Sequence, residues 1–169
     1  MTTNEPRHSR ASLLDIHERA HRSLRGLLAH CAGLATADLD RELAGFGYPT
    51  VRLQLHHVIS AEKYWVGVLL GEYHVEDDSA DYPSIPALDI HERRVADRTA
   101  DWLRTTSLEE LNTPRLVRTW PDVKRRLVPA HVILRTQTHI YQHQGQVLAM
   151  CRLLGRPGPG GLDFPLVDA

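Results

Sequence analysis

Four long stretches of apolar residues spaced three and four apart, punctuated by Gly33, Thr50, Gly71, Pro129 and Gly155, confine this chain to a bundle of helices. The first stretch spans residues 9–33 and carries Leu13, Ile16, Ala20, Leu24, Leu27 and Cys31 on one stripe. The second opens on Thr50, a good helix cap, and runs to Leu70, with Leu53, His57, Ala61, Tyr64 and Val68 facing inward. The third covers residues 87–105 and turns Leu88, Val95, Thr99 and Trp102 inward. The fourth begins at Pro129, a residue favoured in the first helical turn, and ends at Gly155, roughly 40 Å further on. Its stripe reads Val132, Thr136, His139, His143, Val147, Met150 and Leu154.

The connections are legible too. A short helix over residues 38–44 precedes a Gly-Phe-Gly-Tyr-Pro turn that ends at Pro49. The acidic, proline-containing loop over residues 73–86 is long enough to cross from one end of a bundle to the other. Ser107-Leu-Glu-Glu110 has the form of a capping box for a small helical turn. Val117, Thr119 and Val123 suit extended segments around Pro121. Residues 1–8 are polar and expected to be disordered, and the Pro/Gly-rich tail over 156–169 is expected to be irregular, with Phe164 and Leu166 packing it back on the body. The architecture expected is all-α: an up-down four-helix bundle with a long crossing connection, one domain over residues 1–169.

Composition excludes more than it selects. A net charge of −1 gives no global field for nucleic acid or an anionic membrane, and no apolar run reaches membrane-spanning length. No stretch has the layout of a signal peptide, so a cytoplasmic protein is expected. Cys31 and Cys151 are far apart in sequence and read as two small buried residues in a reducing compartment. Lysine occurs only as Lys63 and Lys124, and every other basic residue is arginine, a skew that suggests a GC-rich genome.

His139 and His143 stand out because both lie on a stripe that should face the core. Residues i and i+4 of a helix point the same way, so the two imidazoles can aim at one point. Burying an imidazole without a partner costs roughly 1–3 kcal/mol. A divalent metal is one partner and hydrogen bonds inside the core are the other; spacing alone leaves both open. His57 on the second helix is the third candidate. Its neighbour His56 shares an azimuth with Arg52, Ser60 and Lys63, which assigns His56 to the solvent face. Glu62 lies about 140° around the helix from His57 and should face away, which argues against a two-histidine, one-carboxylate site there.

Three segments carry a family resemblance. LQLHHVISAEKYW within residues 50–65 resembles the second helix of the DinB/YfiT-like superfamily, with its apolar-flanked histidine. HIYQHQGQ over residues 139–146 is similar to that family's His-x-x-x-His-Arg-Gly-Gln signature, with Gln144 standing where arginine is usual. CRLLGRPGPGGLDF over residues 151–164 resembles its Leu-Arg-x-Leu-Gly-x-x-Pro ending. The order of these segments matters more than any one of them. The resemblance implies a four-helix bundle in which His57, His139 and His143 hold Zn²⁺, Ni²⁺ or a similar ion. It also implies kinship with thiol-dependent S-transferases and a mycothiol-dependent maleylpyruvate isomerase. Substrate does not follow from the family.

The expected function is therefore a metal-dependent enzyme acting on a small molecule, a thiol-dependent S-transferase or isomerase first, with a low-molecular-weight thiol such as mycothiol as a candidate cofactor. A hydrolase is the alternative, and a non-catalytic metal- or ligand-binding stress-response module is another. Three neutral nitrogens with open positions fit a zinc-type site that still accepts water or substrate. Gln146, one turn beyond His143, either fixes a ring by a hydrogen bond or packs helices. Tyr64 either touches the pocket or fills the core, and His17 either lines the pocket or sits at a polar helix edge. Tyr141 should face outward or a second copy of the chain, which leaves a homodimer open. Arg115, Arg118, Lys124, Arg125 and Arg126 read as a solvated cluster, the alternative being attraction of an anionic thiol cofactor.

Overall fold

A computed structural model describes residues 7–72, 77–119 and 123–167. Four long helices form a bundle: α1 (Arg10–Cys31), α3 (Val51–Leu70), α4 (Ile85–Thr105) and α6 (Pro129–Leu153). Two short helices, α2 (Thr36–Leu39) and α5 (Leu108–Asn112), a 3₁₀ turn over Ser79–Asp81, and a hairpin of β1 (Arg115–Thr119) with β2 (Val123–Leu127) complete the regular structure of the described chain. The hairpin is antiparallel, with Val117 opposite Arg125, and the turn around Pro121 lies outside the described residues.

Local chemistry sets the ends of these helices. The hydroxyl of Thr50 accepts from the backbone N–H of Leu53 and Gly71 closes α3 at φ 80°, a left-handed conformation that glycine adopts without a Cβ penalty. Ser107 caps α5 by accepting from the N–H of Glu110 at 3.0 Å, as the capping-box pattern predicts. Pro129 opens α6, and Gly155 ends it at φ 76°.

Helix α1 packs on α4 and α6, and α3 packs on the same two from the other side. Contacts at both ends set the directions. Arg10 reaches the backbone of Arg104 while His21 meets Glu92, so α1 and α4 run antiparallel. Gln54 meets Gln146, and Trp65 lies under Arg135, so α3 and α6 do likewise. Glu62 bonds Thr99 and Ser60 approaches His91, which makes α3 and α4 parallel. Two consecutive parallel helices need a connection that travels the length of the bundle; the crossing segment over residues 71–84 meets that need, although residues 73–76 lie outside the described chain.

The core is built from Leu24, Leu27, Leu28, Leu55, Ile59, Leu88, Ile140 and Met150 around one centre, and from Leu13, Trp102, Leu103, Leu111 and Ile133 toward the other end. The inward stripe on α3 differs from the expected one. Leu53, His57, Ala61 and Tyr64 are only half-buried, whereas Val51, Leu55, Val58, Ile59, Glu62 and Val66 face the interior. α3 packs on both α4 and α6 and buries polar Gln54, His56 and Glu62 along with its apolar residues, so apolar spacing does not single out one face.

At the N-terminus, residues 1–6 of the segment expected to be disordered lie outside the described residues, while His8 exchanges two hydrogen bonds with Asn112. The C-terminal tail has no regular structure up to residue 167, and is held by Arg19, which donates to the carbonyl of Pro165. Phe164 lies 6.2 Å from the ring of Tyr141, but Leu166 is 90% exposed and does not pack on the body. Tyr141 is half-buried against the core rather than outward-facing. Among the described residues no helix is long and apolar enough to cross a membrane.

Candidate metal centre

α3 and α6 bring His57, His139 and His143 together. The ring centroid of His57 lies 5.1 Å from that of His139 and 4.7 Å from that of His143. The Nε2 atoms of His139 and His143 are 3.0 Å apart. One donor atom from each of the three falls within 4.8 Å of the others, a spacing that a single ion could bridge.

Gln54 settles the tautomer of His143. Its Oε1 accepts from Nδ1–H at 2.7 Å, so Nε2 of His143 carries a lone pair and points it toward His139. Gln54 is itself held, because its Nε2 donates to Oε1 of Gln146 at 2.6 Å. Gln146 thus meets Gln54, which in turn holds the His143 ring. The sequence reading missed Gln54, though it sits one turn before His57, on the α3 surface that meets α6.

All three rings are held neutral. Burial, reinforced by the other two histidines, lowers His57 to about 4. Burial, then His143 and Arg135, lowers His139 to about 4, and burial lowers His143. Neutral imidazoles whose nitrogens converge on one point are the donor set that a borderline divalent ion takes. The residues present therefore fit the metal that the sequence signature implies.

A cavity of about 410 Å³ opens beside the triad, lined by His57 and His139 together with Tyr64, Trp65, Ser60 and Arg135. Tyr48, from the turn before α3, stacks on His57 with centroids 3.9 Å apart. Tyr64 belongs to the cavity wall, one of the two roles open to it. The guanidinium of Arg135 lies 4.8 Å from the centre of the Trp65 ring. By contrast, Arg115, Arg118, Lys124, Arg125 and Arg126 lie on the hairpin, and none lines this cavity.

His56 does not face solvent. It is 8% exposed, stacks near Tyr82 and His91, and approaches Asp77. Ser60 donates to Oδ2 of Asp77, so its own lone pair is left for Nε2–H of His56 at 3.1 Å. Lys63 donates to Oδ1 of Asp77 at 2.7 Å, and the Tyr82 hydroxyl donates to the same oxygen at 3.0 Å. Burial works against the Asp77 charge, but the hydrogen bonds from Lys63 and Ser60 outweigh it and hold the carboxyl at about 2. The azimuth shared with Arg52 and Lys63 misled because that face of α3 is covered by the crossing connection, which carries Asp77.

His17 is likewise buried instead of lying at a polar edge. Gln144 is buried too: it accepts from Ser23 at 3.1 Å and donates to the carbonyl of Leu162. The residue that replaces the usual arginine therefore anchors the tail and leaves the triad untouched.

A family model for the DinB family matches residues 12–167. The chain belongs to the DinB family. Among curated proteins none matches the sequence. Its DinB-like helices and its buried histidine and glutamate groups are compatible with metal binding.

Proposed function

We propose that His57, His139 and His143 hold a divalent ion, Zn²⁺ first and Ni²⁺ next, and that this DinB-family protein is a metal-dependent enzyme for a small molecule. The favoured reaction is thiol-dependent transfer or isomerisation. The observation that carries the reading is the convergence of three neutral imidazoles on one wall of an accessible cavity. An ion held there supplies Lewis acidity, lowering the pKa of a thiol or water that reaches it.

The chain's own residues supply the rest. Gln54 fixes the ring of His143, and Tyr48 covers the face of His57. Tyr64 and Trp65 offer apolar walls that exclude water from a bound substrate. Arg135 places a positive charge over the cavity, suited to a carboxylate or another anionic group. His56, Ser60 and Asp77 also line the cavity, as a hydrogen-bonded row polar enough to hold a water there. That polar row favours a second reading, hydrolysis by an activated water.

Replacing Gln54 by Leu should weaken binding of the ion about 10- to 100-fold, as loss of a partner that orients a ligand ring does. Competition with a chelator measures this, and unchanged affinity would detach Gln54 from the site.

The activity is tested in the cobalt-substituted protein. Mycothiol, bacillithiol, glutathione or a simple analogue should raise an intense near-ultraviolet thiolate-to-cobalt band that is absent in His139→Ala. Silence with every thiol, together with hydrolysis of an activated ester that disappears in His139→Ala, would replace transfer by hydrolysis. Silence in both assays would leave a binding module.

A further inference from the structure

On the opposite side of α3 from the histidine triad lies a second cluster that the proposed function does not use. His17 and His21 are four apart on α1 and project into the bundle at 2% and 3% exposure. Glu62 from α3 and Glu92 from α4 meet them there, at 2% and 0%.

Each ring has one nitrogen already committed. Nε2–H of His17 donates to the carbonyl of Ala96 at 3.0 Å, which leaves Nδ1 bare. That bare nitrogen faces Oε1 of Glu62 at 3.6 Å, acceptor against acceptor. Nε2 of Gln137 donates to this nitrogen in a long hydrogen bond of 3.4 Å, with its other hydrogen on Thr136 at 2.9 Å. Nδ1–H of His21 donates to Oε1 of Glu92 at 2.6 Å, and Nε2 lies 3.0 to 3.1 Å from both oxygens of Glu62. Thr99 donates to Glu62 and fixes the carboxylate. Two further acceptors in this region, Oε2 of Glu92 and Oε1 of Gln137, are buried without a hydrogen-bond partner.

Arg25 also donates to Oε1 of Glu92, at 3.1 Å, yet those two buried acceptors and the contact between His17 Nδ1 and Glu62 stay unmatched. A buried polar group left unmatched is costly, and a cation among these atoms removes the mismatch. We propose that His17, His21 and Glu62 form a second site for a divalent transition-metal ion, with Glu92 and the Ala96 carbonyl holding the two rings. Ligands about 2.0 to 2.2 Å from one ion stand roughly 3 to 3.5 Å from each other, close to the spacing found here. A carboxylate on the far nitrogen of one ring and a backbone carbonyl on the other are the partners that metal-bound imidazoles keep. Two nitrogens and a carboxylate are a harder donor set than three imidazoles and suit Fe²⁺, Mn²⁺, Co²⁺ or Zn²⁺. A cavity of about 140 Å³ reaches His17 and His21 from the surface, with the exposed Glu18, Asp97 and Arg104 in its outer wall.

The test removes the first triad and adds cobalt alone. The His139→Ala/His143→Ala protein, incubated with Co²⁺ and dialysed, should retain about one ion per chain with weak visible bands and no thiolate band. Adding His17→Gln, which leaves His21 between its two carboxylates, should lower that affinity at least tenfold with the helical circular dichroism unchanged. Glu62→Gln should do the same where it folds. No cobalt retained by the folded double variant would overturn the site and leave His21 as a protonated link between Glu62 and Glu92. Cobalt retained with unchanged affinity after His17→Gln would overturn it as well. A wild-type protein whose single ion is lost only with His17→Gln would support this site while refuting the triad.

Discussion

Replacing Glu62 by Ala should cost about 3–5 kcal/mol of stability, the range for breaking a buried charge pair by removing one partner. Glu62 is 2% exposed and accepts from Thr99 at 2.6 Å while holding Nε2 of His21. Burial opposes ionisation, yet His21 beside it, with help from His17 and Thr99, keeps the carboxyl at about 2. Burial also works against charge on His21, but Glu62 and Glu92 push it up to about 9. Removing Glu62 leaves that imidazolium facing one carboxylate where there were two. For a chain of this length the melting temperature should fall on the order of 10 °C. Urea unfolding of metal-free protein checks the figure, and a loss below about 1 kcal/mol would show that the interior network is slack.

Chelation should produce the other large effect. An ion present at about 1,000 times its dissociation constant adds roughly 4 kcal/mol. Removing it near pH 7.5 should lower the melting temperature by on the order of 10 °C. In the metal-free fold His57 and His139 bind protons only near pH 4, against 6.5 in the unfolded chain. The unfolded state then takes up more protons across that window, so stability falls as pH drops from about 6.5 to about 4. With metal present the fall should be steeper, because protons also displace the ion. Parallel pH profiles with and without chelator would speak against metal linkage.

Much of this was legible in residues that punctuate helices. Thr50, Gly71, Pro129 and Gly155 mark their boundaries by local chemistry alone, and those boundaries hold to within a residue or two. The convergence of His139 and His143 follows from their spacing in one helix. Residues that act across helices were not legible. Gln54 reaches His143 from 89 positions away, and His21 reaches Glu92 from 71. No period in the sequence encodes such pairings. His56 shows a related difficulty: its polar neighbours Ser60 and Lys63 imply solvent, but they bind Asp77 on a covering segment. Cys31 and Cys151 read as separate buried residues, and the bundle sets their sulfurs 3.9 Å apart.

Metal content per chain tests most directly whether His57, His139 and His143 hold an ion. Protein made without an affinity tag, loaded with Zn²⁺ and dialysed, should carry about one ion more than His143→Ala treated alike, because two remaining nitrogens bind too weakly to survive dialysis. His56→Ala should keep that ion, since its ring is turned toward Asp77 and away from the triad. Equal metal in wild type and His143→Ala, or loss of the ion in His56→Ala with retention in His57→Ala, would contradict the account.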